Sequence, residues 1–193
     1  MSRKHSSQMS FLDHLEELRW HIIRSFVAVF VMAILAFIFK EFVFDVVIMG
    51  PSRPDFFTNA QLCKLATRMN TPALCINQKQ LSFQNINMSG QFTMHIWVAF
   101  IAGAVVSFPY IFWEFWRFVR PALYEKDIKH SRGAIFSASV LFSLGILFAY
   151  YIIAPLSVYF LGGYQVSESV ENIINFGSYV STISSIVLAT GVM

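Results

Sequence analysis

From residue 133 to 161 the chain runs without one formally charged side chain, and such a segment has few ways to fold. Inside hydrocarbon every backbone N–H and C=O must be bonded within the segment, so the spanning unit is a helix of roughly 20 mostly apolar residues. Stretches 20–39, 92–113 and 172–193 meet the same condition. Arg24 is the one charge inside the first of them, a turn from its basic end, where the guanidinium can reach the headgroups. Only 13% of residues are charged and 56% are hydrophobic, whereas a soluble domain carries about 25% charged residues. This balance argues against a water-soluble enzyme, a disordered chain and a nucleic-acid binder. The expected fold is all-α: a polytopic integral membrane protein with four spans, at 20–39, 92–113, 133–155 and 172–193, surrounded by lipid.

Lysine and arginine in short loops set the orientation. Arg3, Lys4, Arg19 and Arg24 precede or enter the first span, and Arg117, Arg120, Lys126, Lys129 and Arg132 crowd the 114–132 connection. The 156–171 loop has neither residue type before Glu168 and Glu171. The N-terminus is therefore expected in the cytoplasm, and the long 40–91 loop outside. Residues 1–19 lack the apolar centre and cleavage site of a signal peptide. Within the outer loop, 40–49 has the pattern of an interfacial helix closed by Gly50-Pro51, and a second short helix is expected over 59–69 with Asn59 as its cap. Pro155 is expected to kink or stop the third span and Pro109 to kink the second. The fourth apolar run continues to Met193, which reads as a chain truncated within that span.

Two cytoplasmic segments hold unusual chemistry. Residues 10–19 open on a capping pattern, Ser10 with Asp13, and set Phe11, Leu15, Leu18 and Ile22 on one helical stripe. Asp13, Glu16 and Glu17 repel one another within a turn, which reads either as a solvated face or as an acidic site for a cationic ligand. His14, Glu17 and His21 share a side at spacings that metal ligands also use. His5, His95 and His130 advertise no further ligand, so no metal or other cofactor is expected. The second segment, 112–127, is rich in aromatic residues suited to interfacial anchoring. There Glu114 lies at the inner end of span two with Arg117 one turn away, a local ion pair being the modest explanation.

Cys63 and Cys75 both fall in the outer loop. In an oxidising compartment a disulfide between them is favoured over two free thiols; it would close a loop of about 13 residues and contribute roughly 3 kcal/mol in the chain-entropy model. Asn87-Met88-Ser89 matches a glycosylation sequon, a pattern short enough to recur by chance.

At these residues the chain resembles the TatC family, the polytopic subunit of the twin-arginine protein translocase. His14-Leu-Glu-Glu17-Leu-Arg19 is similar to the family's His-Leu-x-Glu-Leu-Arg motif, and Phe118-Val-Arg-Pro121-Ala-Leu123-Tyr124 to its Phe-x-x-Pro-x-Leu-Tyr motif. Pro109, Pro155 and Phe148-Ala-Tyr150 also fall where the family has them. The resemblance implies a non-enzymatic receptor, in a bacterial cytoplasmic membrane, for signal peptides bearing consecutive arginines. It implies that Glu17 and an acid after Leu123-Tyr124, either Asp127 or Glu125, hold the arginine pair, with Arg19 orienting Glu17. Phe118, Leu123 and Tyr124 would contact the rest of the peptide, and His14, Glu16, Pro121 and Tyr150 complete the candidate set. The implied partners are single-span subunits of the TatA and TatB type, further copies of the chain, and the proton-motive force that drives export of folded cargo. Six spans are expected in the complete family fold, with a glutamate in the fourth following a sequence like Gly191-Val192. A metal-dependent membrane enzyme using His14, Glu17 and His21, or a proton-coupled small-solute transporter using Glu114, are the alternatives.

Overall fold

The first apolar run and the acidic segment before it form one continuous helix. In the computed structural model, which describes residues 11–71, 75–76, 82–120, 125–164, 167 and 173–193 (the side chains of 11–15, 125–132 and 134 excepted), α1 spans Phe11–Ile38. At 1.5 Å per residue its 28 residues extend about 42 Å, more than the roughly 30 Å of bilayer hydrocarbon. Phe26, Phe30, Ile34 and Ile38, spaced by four, are exposed along one side, the pattern of a lipid-facing stripe. The capping residue Ser10 lies outside the described residues.

The chain then forms a π-helical segment, Phe42–Ile48, and a short 3-10 turn, Gly50–Ser52. Helix α2, Phe57–Met69, begins two residues before Asn59, which does not cap it. Asn59 is instead buried and donates its amide to the Pro51 and Arg53 carbonyls, pinning the turn to the helix. The Cys63–Cys75 disulfide is formed. Strand β1, Phe83–Gln84, pairs in parallel with β2, Ile174–Asn175.

Helix α3, Gly90–Val119, passes through Pro109 without a break and continues beyond the apolar run to Val119. Helix α4, Glu125–Phe148, passes through a π-helical segment, Ala149–Ile153, into α5, Ala154–Gly163. Pro155 therefore does not end the span. It has no N–H to give the Tyr151 carbonyl four residues earlier, and that carbonyl accepts the Thr58 hydroxyl of α2 instead. Helix α6, Phe176–Val192, has 17 residues and starts at Asn175, whose side chain accepts from the Ser178 N–H.

Helix α1 packs on α3 and α4 on α6, in both cases through glycine. A β-carbon on Gly103 would lie 2.7 Å from the Ala33 nitrogen and 2.8 Å from the Val29 carbonyl oxygen; one on Gly145 would lie 2.9 Å from the Thr190 carbonyl oxygen. Such approach between backbones is how apolar helices associate where lipid competes for their surfaces. The buried core gathers Ile48, Val98, Ala154, Val158, Tyr179, Val180 and Ile183, at the end of the bundle remote from the start of α1. There the Tyr150 and Tyr179 hydroxyls donate to the Val47 and Ile48 carbonyls, at 2.9 and 2.7 Å, satisfying acceptors left open where the π-helical segment ends.

Candidate functional site

At the other end, α1 and α3 meet around a polar pair. Glu114, only 1% exposed, accepts a 2.6 Å hydrogen bond at Oε2 from His21 Nδ1 of α1. Its Oε1 accepts from the Tyr110 hydroxyl at 2.9 Å and from Arg117 Nη1 at 3.3 Å. A carboxylate in a low-dielectric site is tolerable when both oxygens are bonded and a cation is near, and here one helical face supplies Tyr110 and Arg117 while the other helix supplies His21. The local Glu114–Arg117 pair expected from the sequence is present, but the closer partner is His21, 93 positions away. Two polar residues in apolar helices were visible in the sequence; their pairing depends on the register at which α1 packs on α3, which single-helix periodicity does not contain.

One turn from His21, Glu17 is half-buried, and among the described residues no ion pair occupies its carboxylate. Arg19 is exposed and is not paired with Glu17, so the expected orienting role is not seen. Two positions apart along α1, with Leu18 between them, their side chains point to different sides of the helix. Glu16 is exposed beside them. One turn beyond Glu114, the Phe118 ring meets the His21 ring edge-on with centroids 6.2 Å apart. Leu18, His21, Ile22 and Phe26 of α1 and Ile111, Phe115 and Phe118 of α3 line a groove of about 350 Å3. Glu17 precedes Leu18 and lies one turn before His21, both of which line this almost wholly apolar groove.

Other expected residues fall elsewhere. The side chain of His14 and those of Glu125 and Asp127, in the first turn of α4, lie outside the described set, as do Pro121, Leu123 and Tyr124. Tyr150 is not brought to this end. It is bound to Val47 and lies against Gly50, past the far end of α1, because the π-helical segment before Pro155 turns it toward the outer loop. Among the described residues no three His, Cys, Asp or Glu side chains group as metal ligands, and His21, needed for the metal alternative, gives Nδ1 to Glu114. His95, remote from these residues, stacks on Phe37 at 3.9 Å and bonds its carbonyl.

Three helices among the described residues, within Glu16–Ile38, Gly90–Val119 and Ile135–Gly163, are long and apolar enough to cross a bilayer, and Phe176–Val192 is a shorter apolar helix. With the polar site at one end of the bundle, they define a multi-pass α-helical membrane protein. The model of the family described as Sec-independent protein translocase protein (TatC) matches residues 13–193, and the chain belongs to that family, whose members are translocase components rather than enzymes. It is 35% identical to the TatC protein of Blattabacterium sp. subsp. Periplaneta americana (strain BPLAN), over 98% of this chain and 72% of that relative. It is 29% identical to TatC of Koribacter versatilis (strain Ellin345), over 100% of this chain and 64% of that protein. A crystal structure of the twin arginine translocase receptor TatC superposes with a TM-score of 0.66 at 26% identity, covering 93% of this chain and 69% of that one. The chain thus spans about two thirds of the length of these proteins.

Proposed function

We propose that this chain is the signal-peptide receptor and core subunit of a twin-arginine translocase, and that the α1–α3 end of the bundle binds the arginine pair of the peptide. The observation that carries this reading is the Glu17 carboxylate, half-buried and without an ion-pair partner among the described residues, one turn before His21, which lines an apolar groove. A guanidinium is planar and donates bidentately, so a carboxylate on a shielded apolar rim favours arginine over lysine. The groove beside it suits the apolar stretch of a signal peptide, with Phe118 contributing a wall. Asp127 or Glu125, both in the first turn of α4, supplies the second acid, and Leu123 and Tyr124 contact the rest of the peptide. The basic residues near the start of α1 and between α3 and α4 support a cytoplasmic placement of this end in a bacterial inner membrane, with α6 belonging to a fourth span. Single-span subunits of the TatA and TatB type and further copies of the chain complete the assembly.

The test is photo-crosslinking of a synthetic signal peptide to the protein in membrane vesicles. Each shielded charge-assisted bond contributes roughly 1.5–3 kcal/mol, so Glu17→Ala is expected to lower labelling by an Arg-Arg peptide about tenfold or more while leaving the weaker labelling by a Lys-Lys peptide little changed. Equal labelling of wild type and variant by the Arg-Arg peptide would remove Glu17 from the role.

A further inference from the structure

The His21–Glu114 pair has no part in the receptor chemistry just described, yet it lies between the two residues that do. Glu17 is four positions before His21 on α1, and Phe118 is four positions after Glu114 on α3. Away from this pair, the backbones of α1 and α3 meet where Gly103 faces Ala33 and Val29. Between Gly103 and Glu114 lie eleven helical steps, about 16 Å at the rise of an α-helix. A close contact between smooth helices acts as a pivot: a rotation of about 10° there moves the helix ends by about 3 Å, whereas binding geometry has to be held within about 0.5 Å. Apolar packing alone does not supply that restraint, because it is not directional. A second contact, directional and distant from the pivot, does.

We propose that His21 and Glu114 are positioning residues: their cross-helix hydrogen bond fixes α1 against α3 so that Glu17 and Phe118 face one ligand in a constant geometry. This rests on the receptor reading above. The pair suits the task in three respects. At 2.6 Å the bond is short and charge-assisted. Both partners are buried, His21 at 7% and Glu114 at 1% exposure, so water competes weakly. The second carboxylate oxygen is tied to Tyr110 and Arg117 of its own helix, which fixes the acceptor before α1 engages it. Phe118 resting edge-on against the His21 ring passes that restraint directly to the groove wall.

The experiment uses the full chain in lipid nanodiscs, with spin labels on cysteines introduced at Trp20, beside His21 on α1, and at Arg120, at the end of α3, both exposed. The native cysteines are disulfide-bonded and take no label. His21→Ala is expected to broaden the distance distribution between the labels and to weaken binding of an Arg-Arg signal peptide at least tenfold. Glu114→Gln should shift both readouts in the same direction. His21→Arg, which keeps an N–H donor at this position, should restore both. Circular dichroism confirms that helix content is retained in each variant. An unchanged distance distribution in His21→Ala overturns the proposal, and so does a broadened one with unaltered peptide binding or a failure of His21→Arg to restore either readout. If the wild-type chain binds Arg-Arg and Lys-Lys peptides alike, the receptor reading itself fails and takes this role with it; intact wild-type discrimination with unchanged distances removes the positioning role alone.

Discussion

Gly103 shows how a single missing methyl group sets the geometry of the α1–α3 pair. Its Cα–H lets the Ala33 nitrogen and the Val29 carbonyl oxygen lie where a β-carbon would be 2.7 to 2.8 Å away, inside any tolerable contact, and both obstacles are backbone. Gly103→Ala is therefore expected to force the helices apart and lower stability by about 1–3 kcal/mol, the usual cost of overpacking a close interface. Thermal unfolding of the purified protein in detergent, followed by circular dichroism, reads this directly, and an unshifted midpoint would mean that the two backbones do not meet there. Nothing in the sequence distinguishes Gly103 from Gly133, which a β-carbon would leave in open space. Glu17 and Glu16 differ in the same physical way: Glu17, the motif glutamate, is half-buried, whereas Glu16, at the motif's variable position, is exposed.

Helical elements were more legible than their ends. Long charge-free runs fix the existence of α1, α3 and the α4–α5 span, because hydrocarbon allows little else. The helical stripe over 10–19 matches the start of α1 at Phe11, but where the runs stop was harder to read: α3 runs on to Val119 through the charged Glu114 and Arg117. A charge ends an apolar run in sequence without ending a helix. Pro155 shows the converse, since the break it demands is absorbed by the wider π-helical turn, whose Ala154 N–H reaches back to the Ala149 carbonyl, and by the Thr58 hydroxyl on the Tyr151 carbonyl. Thr58→Val keeps the shape and removes the donor. It is expected to destabilise the protein by about 0.5–1.5 kcal/mol, the net worth of an exposed hydrogen bond; urea titration in mild detergent would reveal it. A wild-type midpoint would show that the π-helical turn needs no help from α2.

The two ends of the whole molecule are built on different principles. The end remote from the start of α1 combines the buried core, the paired strands β1 and β2, the tyrosine hydroxyls on the Val47 and Ile48 carbonyls, and the Cys63–Cys75 bond. The α1–α3 end has a groove and one polar pair. The Cys63–Cys75 bond carries one further consequence. Thiols stay reduced in a bacterial cytosol and pair beyond the membrane, so the cross-link doubles as the protein's own record of which way round it was inserted. Chains purified from cells under alkylating conditions should take up no maleimide mass tag until a reductant is added, whereas an upside-down insertion would leave two thiols to be tagged at once.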